Sequence, residues 1–228
     1  MGVKPDIIVR DVAPKFVQGA LTAVARGPIK LTDVCGLRSQ LEKRTMPHPN
    51  FRPLPEFLFV GSTNVGKSSL LSKLLCPRSG LSGRRDLPNV SNRMGFTQTL
   101  NFYTVGKDLR VVDSPGYGYK SSTTQGQLVT EYLRDFGEHV RQVYILIHAV
   151  KGLSPADELV ASMLVDLGYP FDIVLTKGDL VRDLDRKVAE LLKTVSSLKA
   201  VVNEIHVTSA QTGEGMNLLR GSLWRLIA

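Results

Sequence analysis

Apolar and amphipathic segments alternate along the chain from residue 56 onward. The continuous apolar segments are typical of strands in a parallel sheet that is covered on both faces. They lie at residues 57–60, 109–112, 143–147, 173–175 and 205–207. A sixth segment, residues 98–105, is more polar and alternating, which favours a strand at an edge of the sheet.

Helical patterns lie between these strands. Val188, Leu191 and Val195 recur at the spacing of one helix face, and Ser154-Pro155 offers a helix cap followed by a first-turn proline. Similar stripes lie at residues 67–75, 128–136 and 219–227. The alternation predicts an α/β fold, a doubly wound and mostly parallel six-stranded sheet with helices on both faces.

Residues 1–54 have a different pattern. Prolines recur through this stretch, which argues against long helices there. We expect residues 1–54 to form an extended N-terminal arm with short helical pieces, one of them at residues 37–44. The remaining residues, 55–228, are expected to form one domain with its own core.

Composition narrows the choice of partners. Lys and Arg number 29 against 21 Asp and Glu, so the formal net charge is +8. This balance favours a polyanion, either nucleic acid or an acidic membrane surface, although a basic protein without such a partner has the same composition. No apolar run approaches the roughly 20 residues that span a bilayer. Since the sequence also has no lipidation signal and no amphipathic anchor, we expect no membrane partner. Cys35 and Cys76 have no metal-binding spacing and are expected to be free thiols.

A phosphate-binding motif lies between the first strong strand and the helix after it. Residues 61–68 read GSTNVGKS, which matches G-x-x-x-x-G-K-[ST]. Glycines let the backbone curl so that its N–H groups face phosphates, and the helix N-terminus adds a positive dipole end. Lys67 is expected to reach the β- and γ-phosphates, and the Ser68 hydroxyl to hold Mg²⁺. The predicted nucleotide contacts are Gly61, Asn64, Val65, Gly66, Lys67, Ser68 and Ser69.

A second motif, DSPG at residues 113–116, follows the strand at 109–112. The Asp113 carboxylate can hold a Mg²⁺-bound water, and the Gly116 N–H can bond a γ-phosphate. A DxxG motif is common by itself. After a phosphate loop and a strand, it is good evidence for a P-loop nucleoside triphosphatase.

A third motif, TKGD at residues 176–179, points to guanine. Asp179 can accept hydrogen bonds from guanine N1–H and the 2-amino group, a pair of donors that adenine lacks. The Lys177 stem can lie along the base plane, and the Ala210 N–H can contact guanine O6. The predicted contacts at this end are Thr176, Lys177, Asp179, Ser209 and Ala210.

Residues 78–95 have no hydrophobic period, and a loop of this length inside a domain is usually functional or mobile. The loop ends at Gly95-Phe96-Thr97. Thr97 is a candidate second protein ligand of Mg²⁺ that closes only when a γ-phosphate is present. Thr99 and Ser91 are competing candidates.

The motif order GSTNVGKSS, GFTQTLNF, DSPGYGY, TKGD and SA resembles the EngB (YihA) family of ribosome-assembly GTPases. That family lies near Era and TrmE among the P-loop GTPases with a Ras-like fold. The most specific matches are Thr97-Gln98 with Asn101-Phe102 and the run 113–119, and the resemblance covers residues 56–228. It implies binding of GTP and GDP with Mg²⁺, and GTP hydrolysis coupled to maturation of the large ribosomal subunit. It also favours Thr97 as the metal ligand.

Two departures from the EngB pattern are clear. Such proteins usually have Gly-Arg-Ser where this chain has Gly61-Ser62-Thr63, and Asp-x-Arg where residues 147–151 read IHAVK. Together with the longer arm, these departures suggest an organellar relative. We expect the mitochondrial matrix as the compartment, with the bacterial cytoplasm as the alternative. The expected partner is the large ribosomal subunit precursor, both its rRNA and its proteins, and the chain is expected to be monomeric off the ribosome.

Hydrolysis needs an oriented water, and Ras-type proteins supply a Gln directly after the glycine of the second motif. Tyr117 occupies that position here. Relatives of the TrmE type use an Asn at the position of Asn64 to help bind K⁺ beside the phosphates. The resemblance therefore implies slow intrinsic hydrolysis that K⁺ or a ribosomal partner stimulates. The expected catalytic residues are Lys67, Thr97, Gly116 and Asn64.

Two questions stay open at this point. Tyr117 and Tyr119 could stack on unpaired RNA bases, or they could anchor the switch loop. The chain could also act as a GTP-dependent RNA-binding placeholder on pre-ribosomes that barely hydrolyses GTP.

Overall fold

The computed structural model describes residues 8–9, 29–36, 54–75, 99–105, 108–118, 123–197 and 202–227. Within these ranges, one sheet of eight strands carries helices on both faces. The strands are β1 (Ile8–Val9), β2 (Ile29–Gly36), β3 (Glu56–Gly61), β4 (Thr99–Val105), β5 (Leu109–Asp113), β6 (Val140–His148), β7 (Phe171–Thr176) and β8 (Val202–Val207). The helices are α1 (Lys67–Leu75), α2 (Thr123–Phe136), α3 (Pro155–Asp166), α4 (Leu184–Ser197) and α5 (Met216–Arg225).

The strand order is β1-β8-β7-β6-β3-β5-β4-β2. β4 runs antiparallel to both of its neighbours, β2 and β5, and the other pairs are parallel. β3 therefore lies inside the sheet, where Phe59 pairs with Asp113 of β5 and Gly61 pairs with Leu146 of β6. The carboxyl ends of β3, β5, β6, β7 and β8 share one edge, which is where open α/β sheets bind their ligands.

Two hydrophobic clusters cover the two faces of the sheet. Successive residues of a strand point to opposite faces, so Phe57 and Phe59 join one cluster while Leu58 and Val60 join the other. All four side chains are fully buried. Helices α1 and α5 cover the first face, and α2, α3 and α4 cover the second. The predicted doubly wound α/β fold is confirmed.

The sheet is wider than predicted because residues 8–9 and 29–36 add a strand at each edge. β2 pairs antiparallel with β4 from Ile29↔Val105 to Gly36↔Thr99, so the prediction that residues 98–105 form an edge strand is wrong. Residues 29–34 read IKLTDV, an alternation that favours a strand, but it is short and lies in a stretch rich in proline, which disfavours regular structure. The predicted helix at 37–44 lies outside the described residues, and the boundary at residue 54 stays a prediction.

Helix α3 begins as the sequence predicts. Ser154 forms a capping box with Asp157: the Asp157 N–H donates to Ser154 Oγ at 3.3 Å, and the Ser154 N–H donates to Asp157 Oδ2 at 2.9 Å. Pro155 occupies the first helical position, where its missing N–H is not needed. None of the described helices combines the length and apolar character needed to cross a membrane.

Helix α5 holds the far end of α1. Arg220 is buried and donates from Nε to the Leu74 carbonyl at 2.8 Å and from Nη2 to the Lys73 carbonyl at 2.6 Å. The last carbonyls of a helix have no partner within it, and a cation there also suits the helix dipole. Asn217 accepts from Arg220 Nη1 at 2.8 Å and orients the guanidinium. Arg220 therefore caps the helix that starts at the phosphate loop.

Candidate nucleotide-binding site

The loop between β3 and α1 curls at the carboxyl end of a central strand. Asn64 and Gly66 have left-handed backbones, with φ of 64° and 103°, on either side of Val65. Such an alternation of handedness directs successive N–H groups into one concavity, which suits an anion. The Leu70 N–H donates to the Gly66 carbonyl at 2.9 Å, so α1 starts directly after the curl. The loop has the form that a phosphate-binding loop requires.

The phosphate loop packs closely against the sheet on one side and is exposed to solvent on the other. A Cβ on Gly61 would lie 2.9 Å from Leu146 Cβ and 3.0 Å from Val65 Cγ1, so this position has no room for a side chain. Val65 is buried, whereas Asn64, Ser68 and Ser69 are exposed. The open side of the loop thus presents the side chains that the sequence analysis assigned to the nucleotide and its metal.

Lys67 and Asp113 meet at the end of the sheet. Lys67 is the first residue of α1 and Asp113 the last of β5, and Lys67 Nζ donates to Asp113 Oδ1 in an ion pair. Both side chains are 10% exposed. Asn101 of β4 donates from Nδ2 to Asp113 Oδ2 at 3.5 Å. Burial, and then the Asp113 charge, raises the pKa of Tyr103 to about 12, so this phenol stays protonated.

The segment after Asp113 continues the sheet alongside the phosphate loop. The Thr63 N–H donates to the Tyr117 carbonyl at 2.8 Å, and the Tyr117 N–H donates to the Gly61 carbonyl at 3.3 Å. A Cβ on Gly116 would lie 3.0 Å from Thr63 Cα. Gly116 is therefore held against the loop, as its predicted role at a γ-phosphate requires, and a larger residue would push the two segments apart.

Tyr117 anchors this segment rather than facing solvent. Its side chain is 7% exposed, and its hydroxyl donates to Asp157 Oδ1 of α3 at 2.9 Å. Burial, and then the neighbouring Asp157 carboxylate, raises the pKa of Tyr117 well above its ordinary value. Of the two roles left open for Tyr117, stacking on RNA bases is wrong and anchoring is confirmed. Tyr119 lies outside the described residues.

The TKGD turn lies beside the phosphate loop. Lys177 has a left-handed backbone with φ 56°, and the Gly178 N–H donates to the Thr208 carbonyl at 2.9 Å. A Cβ on Gly66 would lie 3.6 Å from Lys177 Cε, so the lysine stem runs close to the loop. Asp179 is exposed. The carboxylate of this turn is therefore accessible to a ligand.

Thr176 supports the phosphate loop from below. Its hydroxyl is buried and donates to the Val65 carbonyl at 2.7 Å, with a second, longer contact to the Ile147 carbonyl at 3.3 Å. The TKGD motif predicts that Thr176 contacts the nucleotide. The structure instead directs its side chain to protein carbonyls, because the end of β7 passes beneath the loop.

Ser209 and Ala210 form a turn at the end of β8. The Thr212 N–H donates to Ser209 Oγ at 3.1 Å, and the Ser209 N–H donates to the Glu214 carbonyl at 3.0 Å. Gly215 closes the turn with φ 70°, and a Cβ there would lie 1.9 Å from the Val207 carbonyl oxygen. The turn lies next to the TKGD turn through the bond between Gly178 and Thr208.

The predicted pair of metal ligands is only half described. Ser68 lies in the first turn of α1 with its side chain exposed. Thr97 and its competitor Ser91 lie outside the described residues, and Thr99 starts β4 without a described side chain. The choice among the three stays a prediction.

His148 received no role from the sequence, but it lies at the base end of the site. It ends β6 opposite Thr176, and its Nδ1 accepts from the Val150 N–H at 3.3 Å. Burial lowers its pKa from 6.5, and the positive charges of Lys177 and Lys151 lower it further. His148 is therefore predominantly neutral at neutral pH.

A second polar cluster lies apart from these motifs. Asp172, Glu204 and His206 are the one group among the described residues with the spacing of a metal site. His206 Nε2 lies 3.2 Å from Asp172 Oδ2 and 3.4 Å from Glu204 Oε2, and Arg225 donates to both oxygens of Glu204 at 2.6 and 2.9 Å. Because both oxygens of Glu204 already accept from Arg225, Glu204 is a poor candidate for a metal ligand. We interpret the cluster as a structural link between β7, β8 and α5.

These features define a class of protein. A curled loop on a central parallel strand, a lysine at the start of the next helix, an aspartate at the end of the neighbouring strand and a TKGD turn beside them belong to P-loop GTPases.

Comparison with known proteins narrows this class. Residues 56–177 match the family model described as "50S ribosome-binding GTPase". MIOREX complex component 8 of Saccharomyces cerevisiae is 36% identical over 73% of this chain, which spans 54% of that protein. A probable GTP-binding protein EngB of Roseobacter denitrificans is 36% identical over 72% of this chain and 76% of its own length. The crystal structure of a probable GTP-binding protein engB superposes with a TM-score of 0.59, at 17% identity, over 75% of this chain and 98% of that one.

The chain belongs to the 50S ribosome-binding GTPase family, and its bacterial relatives are EngB proteins. The EngB resemblance, the GTPase class and the binding of guanine nucleotides are confirmed. The crystal structure supports the fold alone, because its sequence identity is low.

Proposed function

We propose that this protein is a GTP-hydrolysing switch that assists assembly of the large ribosomal subunit. The observation that carries the proposal is the placement of Lys67, Gly116 and Lys177 around one curled loop at the carboxyl edge of the sheet. The match to a family described as ribosome-binding supports the ribosomal partner.

The triphosphate would lie over residues 61–69. Backbone N–H groups of the loop hold the phosphates, with Lys67 moving from Asp113 to the β- and γ-phosphates. Mg²⁺ fits the residues present, since the exposed hydroxyl of Ser68 and the Asp113 carboxylate are the oxygen donors this ion prefers. We assign Thr97 as the second protein ligand. The metal neutralises charge on the phosphates, and the chain's own residues orient them.

The base would lie between the TKGD and Ser209-Ala210 turns. Asp179 accepts from guanine N1–H and the 2-amino group, and the exposed position of its side chain leaves it available to do so. Lys177 packs its stem along the base, and the Ala210 N–H donates to O6. Thr176 contributes by holding Val65 in place.

Hydrolysis is proposed to be slow without help. Tyr117 occupies the position at which Ras-type proteins have the Gln that orients the attacking water. Because its hydroxyl donates to Asp157, we propose that Tyr117 does not take over this role. Asn64 is exposed on the open side of the loop, where it could help bind K⁺ beside the phosphates. K⁺ or a ribosomal partner would then supply the missing positive charge.

The proposed partner is a precursor of the large subunit, through both rRNA and ribosomal proteins. The net charge of +8 supports contact with RNA phosphates. We propose that the protein is monomeric off the ribosome. A eukaryotic relative beside bacterial ones supports the mitochondrial matrix as its compartment, with the bacterial cytoplasm as the alternative.

The first experiment compares GTP and ATP. We expect tight, Mg²⁺-dependent binding of a fluorescent GTP analogue by the purified chain, and competition by GTP and GDP but not by ATP. Equal competition by ATP would contradict the assignment of Asp179. Equal hydrolysis rates in K⁺ and Na⁺ would remove the role of Asn64.

The second experiment separates the switch from the placeholder. Multiple-turnover GTP hydrolysis is measured with and without purified large subunits, over a range of salt concentrations. The switch predicts stimulation that weakens steeply with salt, because contacts to RNA phosphates release counterions. Salt-dependent binding without stimulation would favour the GTP-dependent RNA-binding placeholder.

A further inference from the structure

Tyr117 is fixed at both its backbone and its side chain. Its carbonyl accepts from the Thr63 N–H at 2.8 Å, its N–H donates to the Gly61 carbonyl at 3.3 Å, and its hydroxyl donates to Asp157 Oδ1 at 2.9 Å. These bonds tie one residue to the phosphate loop on one side and to helix α3 on the other.

Asp157 is itself held in place. It is 3% exposed, and its second oxygen, Oδ2, accepts from the Ser154 N–H at 2.9 Å and from Ser154 Oγ at 2.6 Å. Its position in the first turn of α3 suits a negative charge because of the helix dipole. The carboxylate therefore uses one oxygen to cap its own helix and the other to hold Tyr117.

Gly116 lies between these fixed points. It directly precedes Tyr117, and its Cα has no space for a side chain because Thr63 is in the way. The position of Gly116 is therefore set by the bonds of Tyr117 and by contact with Thr63.

We propose that Tyr117 and Asp157 form a positioning pair for the Gly116 N–H. The pair holds this donor against the phosphate loop. The proposal rests on the proposed function, in which Gly116 bonds the γ-phosphate. It assigns a role in telling GTP from GDP to two residues that do not touch the nucleotide.

The test uses Tyr117→Phe, which removes the hydroxyl and keeps the ring. Equilibrium affinities are measured for GDP and for a non-hydrolysable GTP analogue. We expect the affinity for the analogue to fall about fivefold, the size of one net hydrogen bond, and the affinity for GDP to change much less. Tyr144→Phe is the matched control, because Tyr144 is also buried and its hydroxyl contacts Ser222 Oγ at 3.4 Å, on another part of the sheet.

A merely structural role would lower both affinities together or leave the ratio between GTP analogue and GDP unchanged. Asp157→Ala, which removes the acceptor of the Tyr117 hydroxyl and also the cap of α3, provides a second variant. Combining it with Tyr117→Phe should change the ratio no more than the larger single effect, since the ratio depends on the one bond that both changes remove. An unchanged ratio in Tyr117→Phe, an equal change in Tyr144→Phe, or additive changes in the double variant would overturn the proposal. If the unaltered protein bound neither nucleotide, the proposed function itself would fail.

Discussion

The two ends of the proposed nucleotide-binding site are built differently. At the phosphate end, two segments hydrogen-bond to the loop: the backbone of Tyr117 after β5, and the hydroxyl of Thr176 at the end of β7. At the base end, Asp179 is exposed in a short turn that the bond between Gly178 and Thr208 holds to β8. One end depends on many bonds within the protein, and the other on one accessible carboxylate.

The difference follows from what each end recognises. Phosphates are bound largely by backbone N–H groups, and a backbone donor is useful only if its segment is held still. A base is selected by a side chain, which must be exposed to the ligand. Such a side chain contributes little to the free energy of unfolding of the protein without ligand. We therefore expect substitutions beneath the phosphate loop to lower stability, and substitutions at the base end to change affinity and specificity alone.

The largest effect is expected for Lys67→Ala at the phosphate end. Loss of a charged donor to the phosphates should lower GTP affinity about 100-fold. The measurement is titration of a fluorescent GTP analogue, with Lys193→Ala as control because Lys193 is exposed on α4. An affinity within about threefold of the unaltered protein would show that Lys67 does not reach the phosphates.

Asp179→Asn tests the base end of the site, where we expect a change in nucleotide specificity without a loss of stability. We expect GTP affinity to fall about tenfold or more. Xanthosine triphosphate should gain affinity, because the new amide can donate to the second carbonyl of xanthine. The free energy of unfolding should stay within about 0.5 kcal/mol, since the side chain is exposed. Competition titrations with both nucleotides and urea unfolding test the two halves, and a destabilised variant would contradict the contrast between the ends.

Thr176→Val tests whether a residue of the base-binding motif belongs to the phosphate end. The change keeps the side-chain shape but leaves the buried Val65 carbonyl without its donor. We expect the free energy of unfolding to fall by about 1–2 kcal/mol. GTP and GDP affinities should fall together, because both contact the loop. Thr208→Val removes a similar bond, to the Leu175 carbonyl at 3.0 Å, and should lower stability without moving Val65. Similar nucleotide affinities in the two variants would argue against our interpretation.

The smallest effect concerns pH and His148. The pKa of this residue is lowered from 6.5 in the folded chain, by burial first and then by Lys177 and Lys151. The unfolded chain therefore binds a proton more readily, so the His148 contribution to stability is complete above pH 6.5 and declines as the pH falls below it. His148→Gln should flatten this part of the curve of unfolding free energy against pH. Parallel curves for the two proteins would show that His148 does not titrate differently on folding.

Sequence patterns predicted the phosphate loop and the strands of residues 56–228 because these depend on neighbouring residues. The curl at Asn64 and Gly66 needs only its own few positions, and the buried strands follow from runs of apolar residues. Strand β2 was not predicted, because its alternation of apolar and polar residues is short and lies between prolines.

Contacts between distant segments were beyond such patterns. Tyr117 and Asp157 are 40 positions apart, Thr176 and Val65 are 111 apart, and Arg220 and Leu74 are 146 apart. Each contact depends on which strands become neighbours, and apolar periodicity does not specify that order. The sequence therefore indicated the residues proposed to contact the nucleotide more readily than the residues that hold the phosphate loop in place.

The bond from Arg220 to the end of α1 has a consequence for how the chain is made. During synthesis α1 leaves the ribosome before Arg220, which lies 146 residues after Leu74. A nascent chain that stops short of Arg220 would carry Lys67, Asp113 and Asp179, but the last carbonyls of α1 would lack the guanidinium that bonds them. We therefore expect such a chain to bind nucleotide more weakly than one that includes Arg220.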